Sequence, residues 1–350
     1  MMPTLRQMIA QMLCIGFKGN DFNDAPSLRN WLKHSDGLGC LIHFDYDFEK
    51  NAYGKNIISL EQLQKLNQDI KTYYMEHHAK SLPIWLSIDL EGGKVDRLAR
   101  AQGYIPIASA EEIATFSKAQ REQIWSKTAT LLEELHFDIN FSPVVDLNLS
   151  PNQGIFGPLK RCFSAQPETV IKLADECLRI FEKHHVHGCL KHFPGHGSAS
   201  GDSHEGFVDV SDTFSLSELN PYRDLIANHS PISMIMTAHV INRQLDKSGR
   251  PATLSHPILT DLLRKEFGYQ GIIISDDLQM HAISKYFSRE EALIETIQAG
   301  ADMIIFGNQL GWDEPQLIID MIEKLVQTEK IDSNKIEQAY QRIQKFKKQQ

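Results

Sequence analysis

Eight short apolar runs rich in β-branched residues punctuate the chain from end to end. They are Met12–Phe17, Cys40–Phe44, Ile84–Asp89, Phe137–Phe141, Gly188–His192, Met234–Ala238, Gly271–Asp276 and Asp302–Phe306. Most of the gaps between them carry helical periodicity. Ser109 with Glu112 reads as a capping box for a helix bearing Ile113, Phe116, Ile124, Leu131 and Leu135. Val170, Leu173, Ala174, Cys177, Leu178 and Phe181 share one face of a second. Ile258, Leu262, Leu263 and Phe267 lead to a C-terminal cap at Gly268, and Ala292 to Gln298 lead to Gly300. Nearly continuous apolar strands alternating with amphipathic helices imply an α/β protein with a parallel sheet covered by helices. Eight such units in one chain predict a closed (β/α)₈ TIM-type barrel rather than an open sheet. The expected organisation is one domain over 1–350, with 310–350 as helices that finish the wall. Glu91-Gly92-Gly93 lacks the spacing of a dinucleotide-binding turn.

Composition narrows the partners. A net charge of −9 argues against nucleic acid, and the one basic cluster, Lys345-Phe346-Lys347-Lys348, reads as a frayed helix end. No apolar run approaches the roughly 20 residues of a membrane span. Met1 to Gly19 shows no small-residue cleavage site, so no signal peptide is expected. Cys14, Cys40, Cys162, Cys177 and Cys189 are odd in number, form no CxxC and mostly lie in apolar runs. Reduced, buried thiols in a cytoplasmic protein fit that pattern.

The chemistry concentrates after the fifth run. Lys191-His192-Phe193-Pro194-Gly195-His196-Gly197, continuing to Asp202-Ser203-His204, packs three histidines among glycine and proline that stop any regular element. The segment reads as a strand end opening into a loop. Three readings compete: a polar loop with satisfied histidines, a metal site, or proton transfer by Asp202 and His204. His192 and His196 are four apart, as in a zinc helix, but Pro194 and Gly195 forbid that helix. A carboxylate near an imidazole can fix its tautomer and leave the other nitrogen for substrate.

A barrel of this kind works at the C-terminal ends of its strands. Reading those ends in order gives Asp89 with Glu91 and Arg97, then Asp146, Lys191 and His192, His239, Asp276 and Asp277, and Asn308. Asp276 emerges at the tip of a buried strand, while Asp277 can cap the helix that follows. Two adjacent carboxylates alternate in direction, so only one points into the mouth. A carboxylate held opposite an acid–base group is the arrangement glycoside hydrolysis requires.

With these residues in order, the chain resembles the family 3 glycoside hydrolases, in particular the single-domain bacterial β-N-acetylglucosaminidases (β-hexosaminidases) of cell-wall recycling. The resemblance runs from about Met8 to Phe306 and rests on IDLEGGKVDRL (88–98), KHFPGHG (191–197), DSH (202–204), AHV (238–240) and SDDLQM (275–280). It implies a retaining exo-β-N-acetylglucosaminidase acting on muropeptides through a covalent glycosyl-enzyme. Asp276 would be the nucleophile, His204 the acid–base and Asp202 its partner. Asp89, Arg97, Arg161, Lys191 and His192 would hold the sugar at the cleavage point. No metal and no organic cofactor is implied, and the partner is a carbohydrate, met by a monomer.

Three features depart from that pattern. Leu90 stands where the family usually has glutamine, Arg161 is followed by Cys162-Phe163, and the second strand runs into an insertion-like segment from Phe44 to Ile57. They bear on sugar preference and the shape of the mouth, not on reaction type. The alternatives are a β-glucosidase or β-xylosidase on the same fold, a metal-dependent barrel hydrolase using His192, His196, Asp202 and His204, and a sugar-binding barrel without turnover.

Overall fold

A computed structural model describes residues 3–201 and 206–348. All eight apolar runs form strands: β1 (Leu13–Gly16), β2 (Cys40–Ile42), β3 (Trp85–Ile88), β4 (Ile139–Asn140), β5 (His187–Phe193), β6 (Met234–Thr237), β7 (Ile272–Asp277) and β8 (Met303–Phe306). They pair in parallel in chain order and close into a barrel, with Cys14 opposite both Cys40 on β2 and Ile305 on β8. The strands are buried on both faces along most of their length because helices cover the outside. This is the expected (β/α)₈ barrel.

Two helices differ from their sequence reading. The segment expected to run as one helix from Ser109 is two, Ala110–Thr115 and Lys118–Glu134. Phe116 turns extended, and Ser117 with Gln120 makes a second capping box that restarts the helix in a new direction. The helix Pro257–Glu266 is wound more loosely than an α-helix, and Phe267 N–H donates to Leu262 O. Its buried face is Ile258, Leu259 and Leu263, so Leu259 takes the place expected of Leu262.

The helices Pro315–Gln327 and Ser333–Lys347 pack on Leu5–Gln11, joining the two ends of the chain. The basic run at the end of the last helix corrects its sequence reading, because Lys347 is buried rather than frayed. Its Nζ donates to Gln11 Oε1 (2.9 Å), Gly39 O (2.6 Å) and Pro83 O (2.7 Å), and lies 4.7 Å from the Trp85 ring centre. Gly39 and Pro83 precede β2 and β3, so this ammonium closes the floor of the barrel, at the end opposite the candidate site. All five cysteines are buried and free, as expected, and the Cys14 and Cys40 sulfurs lie 3.3 Å apart. Among the described residues no helix is long and apolar enough to cross a membrane.

Candidate active site

The rim at the C-terminal ends of the strands is built from three loops that fold back on their own strands. The first follows β3. Leu90–Gly92 pairs with Val95–Asp96 as a tight hairpin, and Gly92 sits at φ +94° where a Cβ would lie 2.3 Å from Ala108 O. This turn, invisible as a dinucleotide motif, brings Arg97 back over Asp89: Arg97 N–H donates to Asp89 O (3.4 Å), and the guanidinium lies 3.8 Å from the Asp89 carboxylate. Leu90 faces the hydrophobic core, and the side-chain amide of Asn140 on β4 bonds both its N–H and its C=O. The departure at Leu90 is therefore a packing feature.

Asp89 and Glu91 are two apart, so both project to one side. Between them stands Lys191 from β5, whose Nζ lies 2.8 Å from Asp89 and 2.6 Å from Glu91. Arg161, from the loop after β4, grips Glu91 with Nε and Nη2 at 2.8 Å each. Arg97 then links Asp89 to Asp45 beyond β2, at 3.6 Å from the latter. The result is an alternating row, Arg161, Glu91, Lys191, Asp89, Arg97 and Asp45, with three charges of each sign. Burial alone would push the Glu91 carboxyl up, but Arg161 and Lys191 together hold it well below the usual carboxylate range. Burial works against the Lys191 ammonium, and Asp89 and Glu91 raise it above its ordinary value instead. Arg161, Glu91 and Lys191 therefore stay charged at neutral pH although Lys191 is only 2% exposed.

The second loop is the glycine-rich one after β5. Val144, beyond β4, bridges to Lys191, and Val145 N–H donates to Lys191 O, which carries Asp146 alongside His192. Asp146 Oδ2 accepts from His192 N–H (3.1 Å) and meets its Nδ1 (2.8 Å), while Oδ1 accepts from His196 N–H (2.8 Å). The carboxylate thus assigns the proton of His192 to Nδ1 and leaves Nε2 as the acceptor. Burial lowers the His196 pKa to about 4, with Asp146 opposing. Glu218 Oε2 accepts from the N–H groups of Gly197 (2.9 Å) and Ser198 (3.3 Å). Gly197 is required by close approach, since a Cβ there would lie 1.8 Å from Leu147 O. Beneath the loop, Phe156 packs edge-on to His192 and lies 4.7 Å from the Arg161 guanidinium. Cys162 lies in that small apolar cluster and Phe163 packs against Trp125, so this departure too faces the interior.

The third loop follows β7. Asp276 is half-buried at the strand tip, and its Oδ1 accepts from Asp277 N–H (2.8 Å). Asp277 does not cap the following helix, which begins at His281 after Met280; instead its Oδ1 accepts from Gln279 N–H (2.9 Å), closing a tight turn, and its carbonyl meets His239 Nε2 (2.9 Å). His239 is itself held by Thr253 Oγ1 at 2.8 Å. Of the residues singled out in the sequence, Asp89, Arg97, Arg161, Lys191 and His192 come together on one side of the rim, and Asp276 stands two strands further round. Asp202 and His204 lie outside the described residues. Among the described residues no three His, Cys, Asp or Glu side chains group as metal ligands.

Sequence reading undervalued Glu91, Asp146, Glu218 and Asp45. The two-residue spacing from Asp89 could have found Glu91, and the strand-end rule does find Asp146. No local pattern marks Glu218.

Residues 4–346 match a family described as "Glycosyl hydrolase family 3 N terminal domain". The chain is 33% identical over 316 residues to beta-hexosaminidase A of Pseudoalteromonas piscicida, covering 84% of this chain and 52% of that protein. It is 32% identical over 274 residues to beta-hexosaminidase LpqI of Mycobacterium tuberculosis, covering 76% of this chain and 68% of the relative. A solved family 3 beta-N-acetylglucosaminidase from Paenibacillus superposes with a TM-score of 0.85 at 28% identity, over 99% of this chain and 62% of the other. The chain therefore spans only about half to two thirds of these relatives' lengths.

Proposed function

The chain belongs to glycosyl hydrolase family 3 as its N-terminal barrel domain, and from that premise we propose that it is a retaining exo-β-N-acetylglucosaminidase. The observation that carries the reading is the row of fixed charges at the rim. Lys191 commits two of its three donors to Asp89 and Glu91, and Arg161 commits two of its five to Glu91. Both cations are held rigid with donors to spare, which is how a site grips the hydroxyls of one sugar ring without reorganising. Similarity to a beta-hexosaminidase and a beta-N-acetylglucosaminidase supports the N-acetyl sugar.

In this reading an Asp276 carboxylate oxygen bonds to the anomeric carbon as the glycosidic C–O bond breaks, and His204 protonates the leaving oxygen. His204 then takes a proton from water, whose oxygen attacks the same carbon and frees Asp276, so the configuration is retained. A neutral histidine does this second step without adding a negative charge beside the nucleophile. Asp202 stabilises the imidazolium needed in the first. The roles of His204 and Asp202 rest on the motif order KHFPGHG then DSH. We extend the proposal to muropeptide fragments as natural substrate and to a cytoplasmic location; the first rests on the resemblance to cell-wall recycling enzymes, and five free cysteines support the second.

The test is release of nitrophenol from the N-acetyl-β-glucosaminide beside the glucoside and xyloside, with and without chelator. Selective, chelator-resistant turnover of the N-acetyl sugar is expected. Preference for another sugar overturns the specificity, chelator sensitivity the metal-free chemistry, and silence on all three the enzyme itself. Release of N-acetylglucosamine from a disaccharide muropeptide, compared with chitobiose, tests the natural substrate.

A further inference from the structure

The segment between β2 and the next helix places one more carboxylate in the site. It folds as a small hairpin, Tyr46–Asp47 against Ala52–Tyr53, with the Asp45 carbonyl accepting from both Gly54 N–H and Lys55 N–H at its base. That base is pinned from three sides. Asn56 donates to Phe17 O and Gly19 O, Lys55 Nζ donates to Asn308 O (2.7 Å) and Gln309 Oε1 (2.8 Å), and Gln309 donates back to Tyr46 O (2.9 Å). Asp45 is therefore held in place by its backbone, and its side chain is 13% exposed.

What Asp45 meets is incomplete. Arg97 Nη1 lies 3.6 Å from Asp45 Oδ1 and Nη2 lies 3.8 Å from Asp89 Oδ2, both too long for hydrogen bonds. Among the described residues Asp45 Oδ1 and Arg97 Nε are each buried with no hydrogen-bond partner. Buried polar atoms are nearly always paired, and leaving them unpaired is costly. Here a buried, unpartnered acceptor lies 3.6 Å from a guanidinium whose Nε is also buried and unpartnered, and the pair is continuous through Asp89 with Lys191. Burial pushes the Asp45 carboxyl up, against the pull of Arg97 and of the backbone N–H groups of Asp45 and Tyr46. A hydroxyl group supplies what both lack, since it donates to one and accepts from the other.

We propose that Asp45 is a specificity-determining residue of the sugar site, taking, together with Arg97, one ring hydroxyl of the bound sugar. The proposal rests on the N-acetylglucosaminidase reading above. It makes the hairpin a device for telling sugars apart by the presence of that hydroxyl, because a site built to bond a hydroxyl rejects the analogue lacking it far more strongly than an apolar pocket does.

The experiment compares nitrophenyl N-acetyl-β-glucosaminide with its 3-, 4- and 6-deoxy analogues in the wild type, Asp45→Asn and Asp45→Ala. In the wild type, one deoxy analogue should lose about tenfold to a hundredfold more in kcat/KM than the variants do for the same change. In Asp45→Ala the penalty for that one analogue should shrink to a few-fold while the other two penalties stay as they were. The comparison is a ratio within each protein, so a lower folded fraction in a variant cancels. Identical deoxy penalties in all three proteins overturn the role of Asp45. A wild type inactive on the parent glucosaminide removes the function on which the proposal rests, and is told apart by that result alone.

Discussion

Glu91 holds Arg161 through two parallel hydrogen bonds of 2.8 Å, and with one of the same oxygens it reaches Lys191 at 2.6 Å. One buried anion thus orients two of the cations assigned to the sugar. Glu91→Gln keeps the shape and removes the charge, leaving Arg161 facing a neutral amide in a buried site. Removing one partner of such a pair costs about 3–5 kcal/mol of stability, and the mispositioned cations should lower kcat/KM by about 10² or more. Chemical denaturation beside aryl-glycoside kinetics reads both; near-normal values in the variant would show that the row does not position the site. The pH dependence has a definite sign. The folded Glu91 pKa lies below its ordinary 4.5, so its contribution is fully present above that value and is lost only as pH falls through the lower, folded one. The gap in stability between wild type and variant should therefore persist at pH 4.5 and close only in stronger acid.

Asp146 ties His192 and the backbone of His196 into one arrangement. In Asp146→Asn, an amide N–H would face His192 Nδ1–H or a backbone N–H, and the imidazole would lose its fixed tautomer. Turnover should fall about tenfold to a hundredfold, the range of a lost charged hydrogen bond. Since the carboxylate acts through His192, the double variant with His192→Ala should be no worse than His192→Ala alone. Additive losses would mean that Asp146 has a separate role.

For the chemistry itself, Asp276→Ala should abolish turnover while the thermal unfolding transition survives, because the side chain is half-buried at a strand tip and supports little packing. A fluorinated, activated N-acetylglucosaminide should add one sugar mass to the wild type and none to Asp276→Ala. His204→Ala should lose roughly 10²-fold or more with a poor leaving group and much less with dinitrophenolate, which needs no proton. Equal losses with both leaving groups would contradict an acid role.

The barrel was legible because its signal is local and repeated: each strand is a short apolar run, and several runs end in or lead directly to a polar residue. Asp89, Lys191, His192 and Asp276 fall out of that rule directly. Partnerships were not legible. Glu91 and Arg161 are 70 residues apart, and only closure of the barrel makes them neighbours. Glu218 reaches the glycine-rich loop from the start of a later helix, and at sequence level its glutamate reads as an ordinary cap. The break at Phe116 was missed because a strong capping box at Ser109 hid a second one eight residues on. Asp202 and His204 lie outside the described residues, and their proposed roles rest on the motif order alone.

Lys347 shows the same limit at the other end of the barrel and yields a prediction of the same pH sign in a higher pH window. A basic cluster at a chain terminus reads as solvated until the first and last helices converge on the floor of the barrel. Burial lowers the Lys347 pKa from 10.5 to about 7, with Cys40 and Asp138 opposing. Between those values the unfolded chain holds a proton that the folded protein has released, so stability rises with pH across that window. Below about pH 7 both states are protonated, and the full cost of burying the ammonium is felt. Lys347→Met removes the titration but leaves Gly39 O and Pro83 O without their donor at every pH. The stability difference should therefore move in favour of the wild type by roughly 1–3 kcal/mol between pH 6 and pH 9. Urea unfolding of both proteins at the two pH values reads it directly. A difference independent of pH would mean that Lys347 stays charged on the barrel floor, its three acceptors outweighing its burial.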